Sequence, residues 1–250
     1  MQYVLLIHAA ESRFATMTKE AGEAIMQAYG PYTKDLFATG RAGDCAALEG
    51  SHTASSVRVR EGKRVVKDGP FAETREQLGG YYSIDAETEE EALAWAAKIP
   101  GAKDGTIEVR PIPAMGMPAK TPGQVLDPKT HKEYLLLIYE DEGMWAKLSE
   151  AESKAIFGKY YQFTQEIQAS GHYLAGAPLD SVKKAKSVHL EGDRRVVRDG
   201  PFAETREQLG GYYRILAKDL DEAIAIAARV PAAETGTMEV RPVMDTSAYA

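Results

Sequence analysis

Asp68-Gly69-Pro70-Phe71-Ala72-Glu73-Thr74-Arg75-Glu76-Gln77-Leu78-Gly79-Gly80-Tyr81-Tyr82 recurs letter for letter as Asp199 to Tyr213, 131 positions further on. Fifteen consecutive identities mark a tandem duplication, and a repeat settles domain count more firmly than length does. The same offset aligns Tyr3-Val4-Leu5-Leu6-Ile7 with Tyr134 to Ile138, and Gly40 with Gly171. It also aligns Gly105-Thr106-Ile107-Glu108-Val109-Arg110-Pro111 with Gly236 to Pro242. Two domains are placed at 1–112 and 133–245. The segment 113–132 between them holds Pro113, Pro118, Pro122 and Pro128 without an amphipathic period, as an extended linker would.

Each copy shows one order of elements. A short apolar run predicts a buried strand. A helix follows, N-capped by Thr18 or Ser149, with an inner face of Ile25, Tyr29, Tyr32 and Leu36, or Ile156, Tyr160, Phe163 and Ile167. Val57–Arg60 and Lys63–Lys67 flank Glu61-Gly62 as a hairpin. The repeated block runs into a strand, Gly80 to Asp85. A second helix is capped by Thr88 with Glu91, or Asp219 with Glu222, and stops at Pro100-Gly101 in the first copy. Thr106 to Arg110 is the last strand. The pattern is βαββαβ with an added hairpin, an α+β class. Val4 to Ile7 and Leu135 to Ile138 are apolar without alternation, so both faces of these strands require cover. Two helices cover one face of a four-stranded sheet. The other face is expected to meet the second copy, sheet against sheet.

Composition narrows the function. A net charge of -7 argues against a nucleic-acid surface. No apolar run approaches the roughly 18 residues of a membrane span, and the start lacks the features of a signal peptide. A single cysteine, Cys45, excludes an internal disulfide framework. These features point to the cytoplasm. His8, His52, His131, His172 and His189 are never repeated at the offset and show no metal-ligand spacing, so no metal is expected.

The first helices share only six of 23 positions: Ala24, Ile25, Tyr29, Thr33, Ala38 and Gly40. A packed core tolerates such drift, whereas the block tolerates none. Turn geometry accounts for Asp-Gly, Gly-Pro and Gly-Gly. It explains less well the identity of Glu73, Arg75, Glu76 and Gln77. A structural ion-pair loop and a ligand-facing role both remain open. Glu108 with Arg110, and Glu239 with Arg241, share one strand face, which either rings a polar cavity or is a charged edge.

D-G-P-F followed by E-T-R-E-Q-L-G-G-Y-Y, together with the opening strand and the closing G-T-x-E-V-R-P, resembles the DGPF-domain branch of the YCII-related superfamily. The resemblance spans both copies. It implies ferredoxin-like modules that pair as a dimeric α/β barrel, here within one chain as a monomer with an internal pseudo-dimer. It also implies two functional classes: acid/base chemistry, with a proposed His–Asp pair in some members, or association with an extracytoplasmic-function sigma factor. Neither first helix carries the superfamily's histidine, while its Asp is present as Asp68 and Asp199.

The leading reading is a small-molecule-binding protein, with lyase-type proton abstraction as its chemistry and no cofactor. Asp68, Asp199, Glu73, Glu204 and His8 are the catalytic candidates. Phe71, Arg75, Tyr81, Phe202, Arg206 and Tyr212 are the ligand-binding ones. The alternative is a non-enzymatic partner of a sigma factor.

Overall fold

A computed structural model describes residues 1–14, 16–72, 74–114, 125–203 and 205–249. In the first copy β1 (Gln2–Ala9) leads into α1 (Lys19–Ala38) and β2 (Ala42–Ala47). The hairpin β3 (Ser55–Arg60) and β4 (Lys63–Asp68) follows, then β5 (Gln77–Asp85), α2 (Glu89–Lys98) and β6 (Thr106–Pro111). The second copy runs β7 (Lys132–Glu140), a short α3 (Glu142–Trp145), α4 (Glu150–Ala169), β8 (Tyr173–Pro178), β9 (Lys186–Glu191) and β10 (Arg194–Asp199). It closes with β11 (Gln208–Ala217), α5 (Leu220–Ala227), α6 (Ala232–Thr235) and β12 (Thr237–Pro242). Half of the expected linker, residues 115–124, lies outside the described residues.

The helix starts follow their capping chemistry. Ser149 and Glu152 form a reciprocal capping box, and Thr18 accepts from the Ala21 N–H. Thr88 and Asp219 accept from the Glu91 and Glu222 N–H groups. The Glu91 and Glu222 carboxylates reach one residue further back than a standard box, to the N–H groups of Glu87 and Lys218. β2 has no clear signature in the sequence: its Gly- and Ala-rich stretch around Cys45 is an edge strand on β5. Its small residues carry no strand propensity of their own, and the neighbouring strand imposes the conformation.

The two sheets have the orders β10-β9-β6-β1-β5-β2 and β4-β3-β12-β7-β11-β8. Each module therefore lends its hairpin to the other module's sheet. Val57 pairs with Met238, and Val188 with Ile107. No local pattern announces this exchange, because the pairing residues are far apart in the chain.

Three apolar layers result. Tyr3, Leu5 and Ile7 turn toward α1 and α2, while Val4 and Leu6 turn to the layer between the sheets. Tyr134, Leu136 and Ile138 pack under the helices of the second module, and Leu135 and Leu137 enter the shared layer. The unalternating strands are thus buried on both faces. Each such Leu or Ile contributes about 1.5–3 kcal/mol by leaving water. The result is an α+β pseudo-dimer of ferredoxin-like modules packed sheet to sheet. Among the described residues no helix is long and apolar enough to cross a membrane.

Candidate functional site

The repeated loops meet at the pseudo-twofold axis, where the shared apolar layer ends. Gly69 and Gly200 take φ values of 98° and 100°, a conformation that favours glycine. Their carbonyls accept from the Ser56 and Ser187 hydroxyls at 3.0 and 2.9 Å. Further along, Gln77 donates to the Ala72 and Thr74 carbonyls, and Gln208 to those of Ala203 and Thr205. Thr74 and Thr205 donate to the Glu76 and Glu207 carbonyls. These bonds are a structural reason for the identity of Gly, Thr and Gln in both copies.

Each loop docks onto the other module through its phenylalanine. The Phe71 N–H donates to Glu239 Oε2 at 2.7 Å, and the Phe202 N–H to Glu108 Oε2 at 2.9 Å. The Phe71 ring stacks on Tyr139 at 4.3 Å between centroids, and Phe202 on His8 at 3.9 Å. His8 and Tyr139 are equivalent positions of the repeat. Glu108 and Glu239 are buried beside Arg110 and Arg241, on interior strands β6 and β12. That placement overturns the charged-edge reading of these four residues. Arg110 also donates to the Asp180 and Leu209 carbonyl oxygens, and Arg241 to those of Glu49 and Leu78. Burial raises the Glu108 pKa and lowers that of Arg110, so desolvation outweighs their mutual attraction.

Between the loops lies a cavity of about 60 Å³. At about 10–15 Å³ per water, it holds a few water-sized groups. His8, Phe71, Glu76, Glu108, Tyr139 and Phe202 are among its walls, with Glu239. His8 is 8% exposed, and neither ring nitrogen has a hydrogen-bond partner among the described residues. Burial, aided by Arg110, lowers its pKa from 6.5 to about 3, so the imidazole is neutral at physiological pH. Glu76 Oε2 is likewise buried without a partner. Its counterpart differs: Glu207 Oε2 accepts from Thr237 at 2.8 Å and faces Arg58 at 3.8 Å. His189 occupies the Arg58 position in the second copy and turns to Glu191 instead.

The candidates are therefore divided. His8, Phe71 and Phe202 come together at the cavity. Asp68 and Asp199 do not reach it: both are exposed at hairpin ends, and Asp199 pairs with Lys186. Arg75 and Arg206 are exposed as well, Arg206 facing Asp141 at 3.6 Å. Tyr81 and Tyr212 are buried against each other in the shared layer, 4.7 Å apart, and line no part of the cavity. Tyr82 and Tyr213 turn to the helices and bond Thr33 and Thr164. Glu73 and Glu204 lie outside the described residues. Glu76 and Tyr139 were not singled out individually by sequence reasoning. The signal for Tyr139 was its alignment with His8.

Fold and site define a fused pair of ferredoxin-like modules with an axial cavity. The chain belongs to the YCII-related domain family, whose model matches residues 1–115 and again 133–247. An uncharacterized protein of Rhizobium meliloti (strain 1021) is 36% identical over 124 residues, 49% of this chain and 99% of that protein. Among solved structures, a mutant chlorite dismutase from Candidatus Nitrospira defluvii is similar at a TM-score of 0.48 and 7% identity, covering 99% of this chain and 93% of that one. A heme-binding protein from Thermus thermophilus is similar at a TM-score of 0.41 and 11% identity, covering 99% and 92%.

Proposed function

We propose that the protein binds one small molecule in the axial cavity and moves a proton on it without a cofactor. The supporting observation is His8, a buried imidazole that lines the cavity and has neither ring nitrogen hydrogen-bonded to a described residue. Leaving such a group unsatisfied costs about 1–3 kcal/mol, and a ligand that bonds it recovers that cost. Neutral His8 offers one N–H and one lone pair, which fix a polar ligand's orientation. The carboxylate Glu76, with one oxygen free in the same cavity, is the group placed to accept a proton. The ring walls of Phe71, Phe202 and Tyr139 exclude water. A role as a sigma-factor partner fits a filled interface better than a cavity at the junction of two loops.

The test is a thermal-shift screen of small polar and aromatic metabolites against the wild type and His8→Tyr. Hits should raise Tm in the wild type and lose that effect in the variant. Hits that stabilise both proteins equally would place binding elsewhere and overturn the reading.

A further inference from the structure

The proposed function leaves the ligand's chemistry open, and the cavity's charge inventory narrows it. Three carboxylates border the space: Glu76, Glu108 and Glu239. No lysine or arginine is among the described lining residues. Arg110 pairs with Glu108, and Arg241 with Glu239, both buried; the Arg110 charge is still felt at His8, where it is a smaller effect than burial. Among the described residues Glu76 has no such cation. Arg58, which faces Glu207 in the other half, has no counterpart there, because His189 stands at that position and faces Glu191. Arg75 and Arg206, the residues suited to hold an anion, are exposed outside the cavity.

Acidic residues alone do not make a site. The independent observation is His8, more than nine-tenths buried, which lines the same space and has neither nitrogen bonded to a described residue. A small anion entering here would meet an uncompensated carboxylate in a poorly solvated space, which is unfavourable. A cation carrying N–H groups would instead satisfy Glu76 and the lone pair of neutral His8 together. The aromatic walls add cation–π attraction. No described group of three or more His, Cys, Asp or Glu is arranged for a metal ion. A positive charge carried on a hydrogen-bond donor suits both groups.

Building on the small-ligand reading, we infer that the cavity takes a small primary amine or ammonium ion. The cation is held on the His8–Glu76 side alone, and the Glu207 side is closed by its own Thr237 and Arg58. The duplication has thus kept two loops and one working half-site.

The experiment titrates the whole chain with methylammonium, acetate and phenol at ionic strength fixed by sodium chloride. Binding is followed by calorimetry and by the ¹⁵N resonances of the His8 ring. Methylammonium should bind and move those resonances, while acetate and phenol should do neither. Glu76→Gln should weaken methylammonium about tenfold, and Glu207→Gln should leave it within about twofold, a tenfold change corresponding to about 1.4 kcal/mol. Binding of acetate or phenol in place of methylammonium would overturn the cation class and leave the small-ligand reading standing. Silence from all three probes would remove both. Equal losses in the two variants would overturn the one-sided site. Should Glu76→Gln fail to fold, the His8 resonances of the wild type decide between the probes unaided.

Discussion

At the residue scale, the duplicated chain provides its own control, because each side chain can be compared with its counterpart in another setting. His8 and Tyr139 hold equivalent positions and stack on equivalent phenylalanines, yet only the imidazole has an ordinary pKa near neutrality. His8 falls to a pKa of about 3 in the folded chain, against 6.5 for the free group. As pH drops below 6.5 the unfolded chain takes up this proton first. The His8 contribution to stability is complete above that pH and declines toward pH 3, by about 2 kcal/mol at pH 5. Tyrosine at position 8 has a template in Tyr139, so His8→Tyr should fold. Urea unfolding at pH 7 and pH 5 should show a smaller pH difference in the variant than in the wild type. Equal differences would refute the account. Some of this was legible beforehand. His8, Phe71 and Phe202 stood out, but Asp68 and Arg75 are surface residues away from the cavity. A repeat shows that a residue is fixed without showing where its side chain points.

At the element scale, fixed positions trace to backbone approaches as often as to chemistry. A Cβ on Gly236 would lie 2.1 Å from the Tyr139 carbonyl oxygen, and one on Gly105 would lie 2.1 Å from that of His8. Both approaches are backbone against strand backbone and cannot relax through a flexible side chain. Gly236→Ala should therefore cost about 1–3 kcal/mol in denaturant unfolding. Gly158→Ala is the contrast: it lies within α4, nothing stands within 4 Å of the added carbon, and it should gain about 0.5–1 kcal/mol. A loss at position 158 as large as that at 236 would refute the steric account. Helix caps, the hairpin turn and the two-sided burial of β1 were readable because each leaves a local signature. β2 was not, since its residues become a strand only through pairing with β5. Thr33, one of the six retained helix positions, acquires a reason only from its 2.7 Å bond to Tyr82.

At the scale of the whole molecule, the exchanged hairpins make each module's sheet depend on the other. A fragment comprising residues 1–114 has its own β6 but lacks β12, the strand on which β3 pairs. It should associate as a dimer in which each copy's hairpin joins β6 of the other, with a Tm that rises with protein concentration. Sedimentation of a folded monomer at low micromolar concentration would show the exchange to be dispensable. The exchange also sets an order of events during synthesis. Val57 leaves the ribosome long before Met238, its partner across the sheet. At about 5–20 residues per second, the hairpin waits roughly 10–40 s for that strand to appear. Throughout that interval a ribbon bearing Val57 and Val59 has an unpaired edge, so the nascent chain is most vulnerable to aggregation before its last strand has been made.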